Sequence, residues 1–255
     1  MRIVIVIPTY NEAENIGKLL RELMPILAKL KKHKAMVLVV DDTSPDGTAD
    51  IVKELQKKHK NIHLLMGKKN GLGNAMIRGY RYAMETLKAD VVVANEADFA
   101  FDFKTLPIMI KKIEEGFDVV VASRHVGDGK TEGWTLNRKL NHWVANTVFA
   151  TWIAGVREVY DHNGAYRAIR VKGVLDSIGL KKFDVTGFGF FFYLMYKLTT
   201  VTEKIYEFPV TYTFRTAGES KVSFNRKYIK TYARDVVEYA KLAFSIRAKK
   251  STIKA

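Results

Sequence analysis

The sequence predicts an α/β fold: a doubly wound, mostly parallel sheet finished by C-terminal helices. Two observations predict it. Short apolar runs rich in Val and Ile, at residues 2–7, 36–40, 62–66, 91–94 and 119–123, recur through the first half of the chain. Unbroken runs of this kind suit parallel strands covered on both faces. Between them lie patterns of helical period, clearest in Ile16, Leu19, Leu20, Leu23, Ile26, Leu27 and Leu30, which share one helix face. Strands alternating with helices build such a sheet through right-handed crossovers.

Taken in order, the strand at 2–7 leads to a helix for which Asn11 and Glu14 make a capping-box-like start. After the strand at 36–40, Ser44-Pro45 reads as the cap and first turn of the next helix. Gly71 and Gly73 precede a third helix. They lack the spacing of a dinucleotide loop and the lysine of a P-loop, so they read as a tight turn allowing close approach of a ligand. Ligands of such sheets sit outside the carboxyl ends of the strands. The segments there are 8–12, 41–47, 67–73, 95–102 and 124–133, and acidic residues or clustered glycines mark most of them.

The second half changes character. It holds a helical stretch around 138–154, an aromatic-rich piece at 188–196, a strand-like run at 205–212 and a long helix from about Tyr228. In that helix Ile229, Tyr232, Ala233, Val236, Val237, Ala240, Ala243 and Phe244 form an apolar stripe, with Lys227, Lys230, Arg234, Lys241 and Arg247 on the other faces. It reads either as a helix docked on the sheet or as an interfacial helix on an anionic membrane. The division expected is a catalytic-type domain at 1–225 and a basic, amphipathic, membrane-associated helix at 226–255.

The 255 residues, 47% of them hydrophobic, suffice for one large core. The chain has no cysteine, which excludes disulfides and thiolate chemistry and suits a cytoplasmic location. No signal peptide is read at the N-terminus, and no run reaches the roughly 18 apolar residues of a spanning helix. The net charge of +15, from 42 Lys+Arg against 27 Asp+Glu, favours anionic partners without choosing among nucleic acid, lipid and phosphorylated substrates. The histidines show no metal-ligand spacing, and His33, His59 and His63 read as solvated surface.

Four motifs stand in order: PTYNEAENI from Pro8, VDDTSPDGT from Val40, GLGNAMIRG from Gly71 and FRTAGESK from Phe214. The set resembles the dolichol-phosphate mannose synthases, polyprenyl-phosphate glycosyltransferases of glycosyltransferase family 2, over residues 3 to about 240. The resemblance implies the Rossmann-like GT-A fold, inverting transfer from a nucleotide-sugar donor, a divalent metal (Mg2+ or Mn2+) and a polyprenyl-phosphate lipid acceptor. It further implies a peripheral location on the cytoplasmic face of a membrane, through basic surface, the last helix or a membrane-anchoring partner. No nucleic acid is expected, because no recognised nucleic-acid module is present.

Donor-binding positions implied by the resemblance are Pro8, Tyr10, Glu12, Val40, Asp42, Glu96, Ala97 and Lys221. A Tyr ring can cover a base, and Glu12 or Asp42 can accept from a base N–H or a ribose hydroxyl, although capping and turn duty is the plainer use of such carboxylates. Glu96 and Asp98, two residues apart where a strand ends, can converge on one divalent cation, with Asp98 counted as catalytic. The family usually has Asp-x-Asp here and a polar residue where this chain has Ala100; Asp102 is a candidate to compensate. Arg124, Arg138 and Arg215 are the acceptor-phosphate residues, Arg138 and Arg215 also catalytic, since a guanidinium fork grips phosphate with two hydrogen bonds.

Gly164-Ala165 and Gly189 also depart from the family pattern, and Tyr193 stands where relatives often carry a Glu. A phosphate acceptor, with a second pKa of about 6, is already an anion and needs no general base. Loss of that carboxylate therefore favours a phosphate over a sugar-hydroxyl acceptor, unless Asp161 or Asp102 serves as base. The expected donor is GDP-mannose, with UDP-glucose or another nucleotide sugar the alternative; a catalytically drifted regulatory relative is the rival.

Overall fold

The structure, a computed structural model, describes residues 1–183, 187, 189–213 and 236–249. Arg215, Lys221 and the expected helix start at Tyr228 lie outside the described residues. The strands are β1 (Arg2–Thr9), β2 (Lys34–Asp41), β3 (Ile62–Met66), β4 (Val91–Ala94), β5 (Val119–Ser123), β6 (Lys130–Thr131), β7 (Arg167–Arg170), β8 (Ile205–Pro209) and β9 (Thr211–Tyr212). The helices are α1 (Ala13–Lys29), α2 (Thr48–Lys58), α3 (Leu72–Glu85), α4 (Leu106–Glu114), α5 (Leu136–Trp143), continued by a π-helical segment Val144–Ile153, and α6 (Phe190–Thr199). Residues 236–249 form α7.

Seven strands make one sheet in the order β3-β2-β1-β4-β7-β5-β8. All pairings are parallel except those of β7, which runs antiparallel between β4 and β5. β6 and β9 pair separately. Alternation along β1 divides the core between two layers. Ile3, Ile5 and Ile7 pack with Ile16, Leu19, Leu20 and Leu23 of α1, whereas Val4 and Val6 pack with Met76, Tyr80 and Ala83 of α3. Gly79 lets α3 lie close to the sheet, since a Cβ there would come within 2.6 Å of Val6 Cγ1 and 2.8 Å of Val40 Cγ2.

The chain departs from expectation at several local points. Helix α1 starts after Glu12 without side-chain capping, because Asn11 adopts a positive φ of 57° and its N–H donates to Ser44. Ser44 does not cap α2: its hydroxyl donates to Asp41 at 2.6 Å, and Gly47, left-handed, precedes the helix. The run at 205–212 is two strands that pair with different partners, β8 with β5 and β9 with β6. In α7 the buried residues include Tyr239, Ala243 and Ile246, while Val236, Val237 and Phe244 of the expected stripe are exposed. Tyr239 stacks on Phe192 of α6 and its hydroxyl meets Asn163, so this helix is docked. No helix among the described residues is long and apolar enough to cross a membrane.

Candidate active site

Three neighbouring strand ends carry non-glycine residues with left-handed backbone: Asn11 (φ 57°) after β1, Thr43 (φ 54°) after β2 and Phe99 (φ 58°) after β4. Such conformations cost about 1–3 kcal/mol each outside Gly and gather where function constrains the chain. At the first tip, Pro8 and Thr9 pair with Val40 and Asp41. Tyr10 lies beneath Lys69, whose Nζ is 3.5 Å from the ring centre, and the Glu12 carboxylate accepts from Asn15. The two adjacent acids at the end of β2, Asp41 within it and Asp42 just after, divide their work. Asp41 is buried and holds the turn, accepting from Thr9, the Ser44 N–H and the Ser44 hydroxyl. Asp42 accepts from Arg78 Nη2 at 2.5 Å. The Val40 and Ala97 side chains belong to the core, so only their backbone can meet a donor.

Glu96 and Asp98 follow β4, and both lie within electrostatic reach of Tyr212. The Tyr212 hydroxyl is pushed up to about 12 by burial and by the charges of Asp98 and Glu96, with Arg138 and Arg124 pulling the other way. One phenol thus feels both acids and both arginines. Carboxylate oxygens are hard donors suited to Mg2+ or Mn2+, so Glu96 and Asp98 fit a divalent cation. One Asp98 oxygen accepts the Ala100 N–H at 3.1 Å. Asp102 does not compensate for Ala100: it is exposed and caps the short turn at Phe103 by accepting from Lys104.

Arg124, at the end of β5, forms a two-pronged bond with Asp161, both contacts at 2.7 Å. Asp161 also accepts the backbone N–H groups of Arg124 and Gly164. Both side chains are buried. Burial opposes the charge, yet Arg124 holds the Asp161 carboxyl far below the ordinary carboxylate range. Asp161 is therefore a structural anion, both of its oxygens held by Arg124. Around the Arg124 guanidinium stand the rings of Phe101, Trp134 and Tyr212 at 5.8, 5.7 and 5.4 Å. Arg138 lies 4.5 Å over the Trp134 ring. Its helix begins at Thr135, whose hydroxyl accepts from the Arg138 N–H.

Sequence reading missed a histidine pair at this place. His125, beside Arg124, and His142, one turn beyond Arg138, stack with their Nε2 atoms 2.9 Å apart. The Asn146 amide meets both rings. Burial first, then Arg124, depresses His142 well below its ordinary pKa; burial does the same to His125 more mildly. Their separation of 17 residues carries no helical or loop signature, so only the fold brings them together. With Asp161 they place three potential ligand atoms within 4.8 Å of one another, but a cation there would have to displace Arg124 from Asp161. His33, expected in solvent, instead pairs with Glu114 at 3.2 Å.

Tyr193, at the missing-carboxylate position, sits in α6 edge-on to Phe183 at 4.8 Å. Gly189 precedes that helix. Two buried donors near the site, Asn95 Nδ2 and Trp134 Nε1, have no hydrogen-bond partner among the described residues; buried donors normally find one, and ligand oxygens could supply it. An open groove lined by Gly67, Lys68, Asn70, Asn74 and Arg78 contains none of the acids at β4.

The family model for glycosyl transferase family 2 matches residues 4–175. An undecaprenyl-phosphate mannosyltransferase from Micrococcus luteus is 34% identical over 224 residues, 88% of this chain and 88% of its own. A dolichol-phosphate mannosyltransferase from Pyrococcus furiosus is 32% identical over 222 residues, 87% of this chain and 59% of its own. Among solved structures, mannosyl-3-phosphoglycerate synthase from Rubrobacter xylanophilus superposes with a TM-score of 0.65 at 19% identity, covering 98% of this chain and 75% of that one. A mannosyltransferase from Pyrobaculum calidifontis, solved with GDP-Man and Mn2+, gives 0.55 at 16% identity, covering 97% and 73%. These structural likenesses bear on the fold alone, which is α/β and GT-A-like.

Two predictions follow from the geometry. Arg124→Met leaves Asp161 a buried, uncompensated charge and should cost about 3–5 kcal/mol in urea unfolding; adding Asp161→Leu should restore most of it. A cost below about 1 kcal/mol, as for a surface pair, would show that this pair does not hold the site. For His142 the folded pKa lies below the unfolded value of about 6.5, so the unfolded chain takes up the proton first as pH falls. Its contribution is intact above about pH 6.5 and declines below it, by at most about 1.4 kcal/mol per pH unit. Melting curves from about pH 7.5 to about pH 5.5 should show a smaller loss for His142→Asn than for wild type; equal slopes would contradict it.

Proposed function

The chain belongs to glycosyl transferase family 2, and from that membership we propose that it transfers mannose from GDP-mannose to a polyprenyl phosphate, inverting the anomeric centre. The reading is supported by Arg124 and Arg138 lying against the paired rings of Tyr212 and Trp134, beside the segment carrying Glu96 and Asp98, which Thr213 ties to the same strand. A nucleotide-sugar transfer to a phosphate must manage negative charge twice, on the leaving diphosphate and on the incoming acceptor. Acids that can carry a cation serve the first need, and arginines serve the second.

In the proposed reaction an acceptor phosphate oxygen forms a bond to the anomeric carbon while the bond from that carbon to the diphosphate breaks on the opposite face. Arg138, with Arg215 by resemblance, orients the incoming phosphate; Arg124, committed to Asp161, contributes its charge from behind the ring cage. Glu96 and Asp98 would hold Mg2+ or Mn2+, which supplies Lewis-acid compensation for charge on the leaving diphosphate. Pro8, Tyr10, Glu12, Asp42 and Lys221, with the backbone at Val40 and Ala97, are proposed to bind the nucleotide and its sugar. No proton need leave the acceptor, whose phosphate is ionised near neutrality. That agrees with the fates of the suggested bases, Asp161 gripped by Arg124 and Asp102 capping a turn. The relatives named for undecaprenyl- and dolichol-phosphate support a polyprenyl acceptor, and with it a place on the cytoplasmic face of a membrane.

The test is a panel of nucleotide sugars with a short-chain polyprenyl phosphate. GDP-mannose should be the best donor, EDTA should abolish turnover, and Asp98→Asn should lower it about 100-fold or more. Preference for UDP-glucose would move the donor assignment. No turnover with any donor would favour the drifted relative, for which Ala100 and Tyr193 speak.

A further inference from the structure

We propose that His125 and His142 act as one unit that answers the acceptor's charge: the pair takes up a solvent proton when a phosphate monoester seats beside Arg138, and returns it once that phosphate has become a diester. The proposal rests on the lipid-phosphate reading above and adds two residues that lie outside its motifs. His142 lies one helical turn beyond Arg138 on α5, and His125 follows Arg124 directly. The Trp134 ring joins them, 4.5 Å from the Arg138 guanidinium and edge-on to His142 at 5.0 Å. A phosphate held by Arg138 is therefore a near neighbour of the pair.

The hydrogen-bond network assigns the ring protons. Asn146 is buried, and its Oδ1 accepts from the His162 backbone N–H at 3.0 Å and from Asn163 Nδ2 at 3.2 Å. Its Nδ2 is thereby turned to the rings, 2.9 Å from His142 Nε2, where it can only donate. His142 Nε2 is then a bare acceptor, and His125 Nε2, 2.9 Å away, carries the proton of the contact between them. A neutral imidazole has one N–H, so the lone pair of His125 falls on Nδ1. A proton added there makes an imidazolium whose bond to His142 becomes charge-assisted, and no hydrogen bond is broken. His125 is exposed, so solvent can deliver that proton.

Local charge decides when the proton comes. Burial, Arg124 and Arg138 oppose protonation of His142, whereas Asp161 favours it. For His125, burial and Arg124 oppose protonation and Asp161 favours it. Positive charge outweighs negative around the pair, so it is neutral near pH 7 before the acceptor arrives. A phosphate monoester carries close to two negative charges above its second pKa of about 6, and these reverse the local balance. The diester product keeps one charge, which weakens the hold on both the proton and the product. Linkage makes the coupling reciprocal: acceptor binding tightens as pH falls through the range of uptake, by at most about tenfold per pH unit for one proton.

The experiment titrates the full chain with a water-soluble short-chain isoprenyl phosphate in a calorimeter, at about pH 7.2, in two buffers of different ionisation heat. Wild type should take up about 0.3 proton or more per acceptor bound. The acceptor's own ionisation has the opposite sign, since selecting its dianion releases protons. The double variant His125→Asn, His142→Asn should take up fewer than about 0.1. If that variant lacks a cooperative melting curve, His125→Asn at the exposed ring replaces it, with uptake expected to fall about threefold or more. From about pH 8.5 to about pH 7.2 the acceptor KM should fall about threefold or more in wild type and stay flat in the variant. Uptake by the variant equal to wild type, or none in wild type, overturns the proposal; turnover of the isoprenyl phosphate without uptake does so while leaving the transferase reading in place. If wild type binds no isoprenyl phosphate yet takes up protons with inorganic phosphate, and the variant does not, the pair stands and the lipid-phosphate reading falls. Binding of neither phosphate overturns both.

Discussion

A buried ion pair governs this site. Arg124 and Asp161 meet out of solvent, and every strand around them grips the loop that carries the carboxylate. Glu207 of β8 accepts the backbone N–H groups of Tyr160 and Asp161. Arg167 of β7, fully buried, donates to the carbonyls of His162 and Gly164. Arg124 itself extends from β5 and also donates its backbone N–H to Asp161. Two charges removed from water are tolerated only with such complete bonding. The pair, in return, fixes the guanidinium about which Phe101, Trp134 and Tyr212 assemble.

That assembly brings charges of both signs within electrostatic reach of one phenol, Tyr212. The acids come from the end of β4 and the arginines from β5 and α5. The β4 tip is tied to β9 by the Thr213 N–H, which donates to the Ala100 carbonyl, so Tyr212 is carried in by the same strand that closes the acidic side. Preorganised charge of this kind accelerates reactions because it need not reorganise when charge moves. Transfer between two phosphates is a reaction in which almost nothing else is required of the protein. The histidine pair stacks beside these cations, and burial and Arg124 lower the pKa of both rings.

Much of this was legible in sequence. The runs at 62–66, 91–94 and 119–123 coincide with β3, β4 and β5, because parallel strands covered on both faces leave an unbroken apolar record. β7 left no such record: its four residues begin and end with Arg, and its burial of Arg167 answers carbonyls of a distant loop. Local capping failed at Asn11 and Ser44 because tertiary bonds between the two strand tips took those groups. Glu96, Asp98, Arg124 and Arg138 were proposed from resemblance to family motifs, whereas the meeting of His125 with His142 needed the fold. Asp41 and Asp42 are indistinguishable in the chain; only the turn geometry tells the structural acid from the one facing Arg78. The expected stripe on the last helix was rotated, since Tyr239 and Ile246 supply the docking face.

The central claim is that the acids after β4 receive a cation together with the donor diphosphate. Calorimetric binding of GDP-mannose with and without Mn2+ tests it most directly. The account predicts that Mn2+ tightens GDP-mannose binding about tenfold or more in wild type, and that Glu96→Gln with Asp98→Asn abolishes the gain. Donor binding indifferent to Mn2+ in wild type, or a gain that survives in the double variant, would contradict it.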